Sequence, residues 1–298
     1  MKKQIIFGTD WWTDCDDAVA LRLITRFVKD GKIDLLGIVI NACMEHSVAS
    51  VKAFLNADGL ENIPLGIDLS ATNFGGTPQY QKHLAESCPG VTNNDADDAV
   101  RLYRKLIAQA EGKVEIIEVG FLQAMSALLK SEADDISPLS GKELVEQKVA
   151  KMWVMAGKWD ADGEKEHNFC LTPLSRLAGK QFCELCPVPV TFLGWEVSYD
   201  VLSGGKLDKN DSLYRVLCDH GSANGRSSWD PMTVLLALIG DEEKAGYTTV
   251  RGTASVDEED GANHFREDPN GNHLFVVKAK ENAFYSDRID EIIKSTPS

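Results

Sequence analysis

The sequence predicts an α/β fold in which a mostly parallel β-sheet is covered by helices on both faces, as in a Rossmann-like core. Short β-branched segments alternate with segments of helical periodicity along most of the 298 residues, and this order is typical of parallel sheets. The predicted strands are apolar at nearly every position, as expected for strands buried on both faces. No stretch rich in proline, glycine or serine divides the chain, so we expect residues 1–298 to form a single domain.

The predicted elements follow this alternation in order. The first strand is Gln4–Gly8, and the later strands are Leu35–Asn41, Pro64–Ile67, Val114–Val119, Met152–Met155 and Val190–Gly194. The predicted helices are Asp16–Lys29, Ser47–Ala57, Ala96–Ala110, Leu122–Lys130, Pro173–Leu185 and Pro231–Ile239. Near the C-terminus, the segment Thr248–Lys278 has short alternating pieces and turn signals, which predict a small antiparallel appendage.

Composition and charge restrict the function classes. The net charge of −15, from 46 acidic and 31 basic residues, argues against a nucleic-acid or anionic-membrane partner, because such surfaces require basic residues. No segment approaches the ~18 apolar residues of a membrane span, and the first apolar run is too short for a signal peptide. An odd number of cysteines, seven, favours reduced thiols, so we expect a cytoplasmic protein.

The most informative segment is the acidic turn after the first predicted strand. Asp10, Asp14, Asp16 and Asp17 fall within eight residues. Capping of the next helix explains one or two acids at such a place, but not four. Because carboxylate oxygens are the ligands that hard cations take, the turn predicts a cation site.

Other polar residues follow later strands of the predicted sheet. Asn41 ends the second strand, Glu166 and Asn168 lie in the loop after Met152–Met155, and Asp230 stands before a proline at the start of a helix. An aspartate followed by proline is also an ordinary helix start signal. Ligands of parallel sheets bind outside the carboxyl ends of the strands, so we expect these loops to converge on one site.

Four segments, in the right order, resemble signatures of the inosine–uridine-preferring nucleoside hydrolase family, and the likeness runs over most of the chain. Asp10 with Asp16-Asp17-Ala18 resembles the end of the family's opening Asp-x-Asp-x-Gly-x-Asp-Asp-Ala. Gly120-Phe121-Leu122-Gln123-Ala124 is similar to the family's Gly-Gly-Leu-Thr-Asn. The segment from Glu166-His167-Asn168 to Pro173 is similar to Glu-Phe-Asn-x-x-x-Asp-Pro, and Trp229-Asp230-Pro231 is similar to His-Asp-Pro.

The resemblance implies a nucleoside hydrolase fold and a Ca²⁺ ion that binds the ribose hydroxyls and the attacking water. By position, it implies that the ion is held by Asp10, Asp17, Asp230 and the carbonyl of Val119, with Asp16 beside them as a further ligand. It also implies that the substrate is bound by Asn41, Asp160, Glu166, Asn168 and Trp229.

The implied reaction is hydrolysis of the N-glycosidic bond of a small-molecule nucleoside or related N-riboside. Positive charge develops on the sugar in an oxocarbenium-like state, and nearby carboxylates stabilise that charge. We interpret Asp10 as the base that takes a proton from the attacking water. Asp14 is additional to the family pattern and could take the role of either neighbour, so it is a second catalytic candidate.

Two departures from the family pattern affect the chemistry. Trp229 stands where the inosine–uridine branch has the histidine that protonates the leaving base, and Gly8 stands where the family has its first aspartate. Tryptophan stacks on flat rings but is not a useful acid at neutral pH, because the indole N–H does not ionise there. At this point Trp229-Asp230 resembles the purine-specific branch of the family, so Trp229 favours a purine leaving group.

The sequence leaves several alternatives open. Any of Trp11, Trp12 and Trp159 could supply a second stacking ring. The two departures also fit a catalytically impaired homologue that binds ribose or a nucleoside without turnover. A Mg²⁺-dependent phosphatase is disfavoured, because the chain has no glycine-rich phosphate loop. The oligomeric state stays open, a homo-oligomer included.

Overall fold

The computed structural model describes residues 2–72 and 74–294. Its strands are β1 (Lys3–Thr9), β2 (Ile33–Ile40), β3 (Leu65–Ile67), β4 (Asp97–Asp98), β5 (Val114–Glu118), β6 (Val149–Met155), β7 (Glu164–Lys165), β8 (Val190–Leu193), β9 (Leu202–Ser203), β10 (Arg226–Ser227), β11 (Tyr247–Val256), β12 (Ala262–Glu267) and β13 (His273–Lys278). Its helices are α1 (Asp16–Lys29), α2 (Ser47–Ala57), α3 (Gln79–Ala85), α4 (Ala99–Gln109), α5 (Gln123–Lys130), α6 (Gly141–Lys148), α7 (His167–Cys170), α8 (Pro173–Leu185), α9 (Trp195–Ser198), α10 (Ser212–His220), α11 (Trp229–Ile239) and α12 (Asn282–Lys294), with a 3₁₀ turn at Asn93–Asp95.

One large sheet runs through the described residues in the order β4-β3-β2-β1-β5-β6-β8-β13-β11-β12-β7. The strands from β4 to β13 pair in parallel, and β11, β12 and β7 continue the sheet with antiparallel pairing. β9 and β10 form a separate short ribbon. This arrangement confirms the predicted α/β class and places the carboxyl ends of β1, β5 and β6 side by side.

The central strands β1, β5, β6 and β8 are largely buried on both faces, as predicted. Ile5 and Phe7 of β1 belong to the core on one side of the sheet, and Ile6 belongs to the core on the other side. The alternation follows from the strand geometry, in which successive side chains point to opposite faces. Among the residues that the structure describes, no helix is long and apolar enough to cross a membrane.

Helices α1, α2 and α8 begin and end at the predicted residues, and the other predicted elements are present with shifted ends. The segment Thr248–Lys278 has the predicted antiparallel pairing, but the prediction that it forms a separate appendage was wrong. β13 pairs in parallel with β8, so this segment extends the main sheet. The pattern also missed α3, α6, α10 and α12. The start of α6 carried a readable signal, since Ser140 and Glu143 form a capping box.

Candidate functional site

A cavity of about 270 Å³ opens at the carboxyl ends of β1, β5 and β6. Its size is near the lower end of the ~300–1,000 Å³ usual for small-molecule sites. Residues from several separate segments line it, and the residues expected in the site that it brings together are Asp10, Asp14, Asp16, Asp17, Val119, Glu166, Asn168, Trp229 and Asp230. The remaining lining residues are Trp12, Thr13, Met155, His167, Trp195 and Arg226.

A buried carboxylate cluster lies where two helices begin. Asp16 and Asp17 open α1, and Asp230 lies in the first turn of α11. Carboxylate oxygens of these three residues lie within 4.8 Å of one another. Asp16 Oδ2 accepts a hydrogen bond of 3.0 Å from the backbone N–H of Asp230, which joins the two helix starts. The positive ends of both helix dipoles favour negative groups at this position.

The turn between β1 and α1 is held by its own side chains. Asp17 accepts hydrogen bonds from the Thr9 hydroxyl and from the backbone N–H of Trp11, and Asp10 accepts one of 2.9 Å from the N–H of Trp12. Trp11 and Thr13 adopt positive φ angles of 51° and 58°, and residues other than glycine rarely adopt such angles. Such backbone strain persists only where surrounding contacts enforce it.

The carboxyl groups of Asp10, Asp16, Asp17 and Asp230 are buried close to one another without a described basic side chain between them. Burial, followed by repulsion from neighbouring carboxylates, raises the pKa of Asp10, Asp16 and Asp230 well above the ordinary value. Burial also raises the pKa of Asp17 to about 7. Within the described part of the chain, none of these four forms an ion pair with a basic side chain. A buried, anionic set of oxygen donors fits a hard divalent cation.

Asp14 is engaged differently from its neighbours in the acidic turn. Its carboxylate accepts hydrogen bonds from Arg226, at 2.9 Å from Nε and 2.6 Å from Nη2. The Arg226 guanidinium lies 5.2 Å from the centre of the Trp229 ring. Asp14 therefore connects the turn after β1 to β10 and to the start of α11.

Glu166 and Asn168 form a fixed polar group on the same cavity. Glu166 accepts hydrogen bonds of 2.9 Å from the N–H groups of Asn168 and Gly157. The Asn168 side-chain amide donates to the carbonyls of Met155, at 2.9 Å, and Val119, at 3.2 Å. Burial raises the pKa of Glu166 to about 7. These bonds orient the carbonyl of Val119 and the loop after β6.

Aromatic rings line the cavity beside the carboxylates. Trp12 stacks on His167, with ring centres 6.2 Å apart, and Trp195 stacks on Trp229 at 6.3 Å. Of the three tryptophans considered for a second stacking ring, Trp12 lines the cavity, whereas Trp11 and Trp159 belong to the cores. Burial lowers the pKa of His167, so this ring is held neutral.

Two residues expected in the site lie outside the cavity lining. Asn41 donates to Glu118 Oε1 at 2.6 Å and accepts from the backbone N–H of Phe121, so it supports the end of β5. The Asp160 carboxylate is half exposed and pairs with Lys158 at 2.9 Å. At Gly8, a Cβ atom would overlap the buried Glu118 carboxylate, so Glu118 fills the space beside that glycine.

Sequence reasoning gave no role to His167, Trp195 or Arg226. Trp195 had a usable signal, because it comes directly after the predicted strand Val190–Gly194 and strand ends carry site residues. His167 lies between two residues of a family-like segment. Arg226 had no comparable signal, because β10 is only two residues long.

Comparison with known proteins supplies evidence on the fold. No protein-family model and no curated protein sequence matches the chain. A plant nucleoside hydrolase structure is 15% identical, with 99% of this chain and 100% of that chain covered and a TM-score of 0.72. An inosine–uridine preferring nucleoside hydrolase from Bacillus anthracis is 17% identical, with 99% of each chain covered and a TM-score of 0.69.

A third solved structure is the type III effector protein XopQ complexed with adenosine diphosphate ribose. It is 15% identical, with 100% of this chain and 95% of that chain covered and a TM-score of 0.68. These matches confirm the resemblance at the level of the fold. The chain has the nucleoside hydrolase fold over its whole described length.

Proposed function

We propose that the protein is a metal-dependent hydrolase of the N-glycosidic bond of ribonucleosides, with a purine as the favoured base. The observation that carries the proposal is the buried cluster of Asp16, Asp17 and Asp230, whose carboxylate oxygens lie within 4.8 Å of one another on the floor of an aromatic-lined cavity. The nucleoside hydrolase fold supports the same reaction class.

We propose Ca²⁺ as the cation, with the carboxylates of Asp10, Asp16, Asp17 and Asp230 and the carbonyl of Val119 as the protein ligands. The donor set fits, since it contains only oxygen atoms and its buried carboxyl groups have no basic partner among the described residues. When bound, such a cation supplies positive charge that lowers the pKa of water and attracts sugar hydroxyls.

Residues of the protein supply the general base and the ribose-binding groups. Asp10 Oδ1 is held by the N–H of Trp12, and Oδ2 accepts no hydrogen bond from the described residues, so it is free to take a proton from the attacking water. We assign Glu166 and Asn168, which line the same cavity, to the binding of ribose hydroxyls. The negative field of the site stabilises the positive charge that develops on the sugar ring.

Asp14 stays a second candidate for the base. Its carboxylate is bound to Arg226 through both oxygens, so it would have to give up part of an ion pair to accept a proton. This arrangement favours Asp10. Parallel substitutions, Asp10→Asn and Asp14→Asn, distinguish the two roles.

The aromatic lining supports a purine preference. Trp12, His167, Trp195 and Trp229 present large flat surfaces on one cavity, and stacking favours large flat bases over small ones. Because His167 is held neutral, we expect it to add stacking surface rather than charge.

The decisive experiment measures release of ribose from inosine, adenosine, guanosine and uridine by the purified protein. We expect turnover with Ca²⁺, faster with the purine nucleosides, and loss of activity in EDTA. Asp10→Asn should lower kcat by roughly 10²–10⁴, the usual contribution of a general base. Absence of ribose from all four substrates with Ca²⁺ present would refute nucleoside hydrolysis.

A second function is favoured by one observation, the tryptophan at position 229 where a proton donor was expected. The protein would then bind a nucleoside or another N-riboside without hydrolysing a nucleoside. Since XopQ was solved with adenosine diphosphate ribose, that compound belongs in the ligand set. Calorimetric binding of inosine or adenosine diphosphate ribose without any product would support this alternative.

We propose a cytoplasmic setting and a single-domain chain. All seven cysteines lie in the described residues as free thiols, which fits a reducing compartment. Fractionation of the native host cell tests the location, and light scattering of the purified protein measures the oligomeric state.

A further inference from the structure

Arg226 is the single lysine or arginine among the described residues that line the cavity. Every other charged group there is a carboxylate, and His167 is held neutral. A lone cation in an acidic cavity requires a specific partner. Asp14 supplies one, and this explains an aspartate that has no place in the family-like pattern.

The contacts of Arg226 leave one end of its guanidinium unused. Nε and Nη2 donate to Asp14, and the flat group lies 5.2 Å from the centre of the Trp229 ring. Nη1 donates to no described residue, and the side chain is 34% exposed. The ion pair and the ring thus hold the guanidinium in place while two N–H groups stay available to a ligand.

We propose that Arg226 binds the leaving purine and stabilises the negative charge that develops on it. This inference rests on the proposed function. Purine N7 and O6 are acceptors that the arginine fork matches well. Arg226 thereby supplies, as a fixed positive charge, part of what a protonating histidine would supply at the position of Trp229.

The step balances without a further reactant. The bond between C1′ and N9 breaks, and its electron pair passes to the base. The water oxygen bonds to C1′ while Asp10 takes one water proton, which it later returns to solvent. The purine anion takes a proton from solvent and leaves neutral. Arg226 donates hydrogen bonds throughout and keeps its own protons, as guanidinium groups do in proteins.

In this scheme Asp14 is a positioning residue that acts through Arg226. Its carboxylate fixes the direction of the guanidinium, and Trp229 supports the flat face. The scheme also gives Trp229 a contact besides base stacking. Aromatic support of this kind is typical of arginine, whose guanidinium is planar and weakly hydrated.

The test compares two substrates that differ in the quality of the leaving group. Inosine has a poor leaving group, whereas p-nitrophenyl β-ribofuranoside releases a nitrophenolate that needs little stabilisation. With Arg226→Gln we expect kcat on inosine to fall by roughly 10²–10³, as for loss of one donor to a developing anion. Turnover of the nitrophenyl riboside should change little.

Three further variants distinguish the charge of Arg226 from its positioning by Asp14. Arg226→Lys keeps the charge and should restore part of the inosine activity. Asp14→Asn should lower inosine turnover more than nitrophenyl riboside turnover if Asp14 positions Arg226, whereas loss of a base would lower both. Arg215→Gln, on the exposed side of α10, is the matched control and should behave as wild type.

Equal losses on both substrates in Arg226→Gln would overturn the inference, because that pattern indicates a structural role. If the wild-type protein hydrolyses neither substrate, the proposed function fails. The affinity for a free purine base then tests whether Arg226 binds the base. Hypoxanthine, titrated by calorimetry, should bind wild type at least ~10-fold more tightly than Arg226→Gln, about 1.4 kcal/mol. Equal affinity, or no binding to wild type, would overturn the inference.

Discussion

Chelation of bound cations with EDTA should make the stability of this protein fall as the pH rises. Without a cation, Asp16, Asp17 and Asp230 are close, buried carboxylates that have no basic partner among the described residues. Burial raises the pKa of each above its ordinary value. The folded protein therefore holds more protons than the unfolded chain, so its stability is greatest in acid and is lost with increasing pH.

Asp17 gives the scale of the effect. Its pKa is raised from 3.8 to about 7, and one pKa unit corresponds to about 1.4 kcal/mol. This residue alone would lower the free energy of unfolding by about 4 kcal/mol between about pH 4 and about pH 7. Since 1 kcal/mol moves the midpoint of a large domain by a few degrees, we expect the midpoint in EDTA to fall by roughly 10 °C from about pH 4 to about pH 7.

The assay is thermal unfolding followed by circular dichroism, in EDTA and in excess Ca²⁺, across this pH range. Ca²⁺ should raise the midpoint most at the upper end, where the carboxylates are charged. Asp230→Asn should flatten the pH dependence in EDTA and reduce the gain from Ca²⁺. Glu111→Gln, an exposed acid outside the cluster, should leave both unchanged.

The reasoning would be refuted by a wild-type midpoint in EDTA that stays constant or rises over this range. It would also fail if Asp230→Asn and wild type showed the same pH dependence. In either case the carboxylates would not be held together as charged groups, and the case for a cation site would lose its physical basis.

Two substitutions away from the cavity test the packing, each read from urea unfolding. Gly8→Ala should lower the free energy of unfolding by about 1–3 kcal/mol, because the added methyl group overlaps Glu118, whereas Gly112→Ala, which meets open space, should be nearly neutral. Similar values for the two glycines would contradict this packing. Arg104→Ala removes a buried guanidinium that donates to a carboxylate and two carbonyls, and should cost about 1–3 kcal/mol because the carbonyls lose their donor. Arg101→Ala breaks an exposed pair and should cost much less, so equal losses for the two arginines would count against the burial argument.

Local patterns in the sequence were sufficient for the main elements and for one half of the proposed cation site. The apolar run of β1 and the periodicity of α1 are short-range signals, and Asp10, Asp16 and Asp17 fall within eight residues of the chain. Their collection in one turn follows from chain connectivity. The fold class was predictable for the same reason, since alternating strands and helices leave few ways to cover a sheet.

The residues that the motif comparison proposed for the site differ in where the fold puts them. Glu166 and Asn168 line the cavity. Asp160 lies in the same loop but pairs with Lys158 near the surface. Asn41 is buried beneath the site, where it bonds to Glu118.

Tertiary structure decided how distant residues meet at the site. The packing of α1 against α11 brings Asp230 to Asp16, which lies 214 positions earlier, and β10 brings Arg226 to Asp14. Such contacts depend on the order of strands in the sheet and on helix packing, which no local pattern of residues specifies. The acidic turn thus predicted a cation site, and the family resemblance added Asp230 and Trp229, whereas the close approach of the carboxylates, the Trp195 ring and the Arg226–Asp14 pair became visible only in the folded chain.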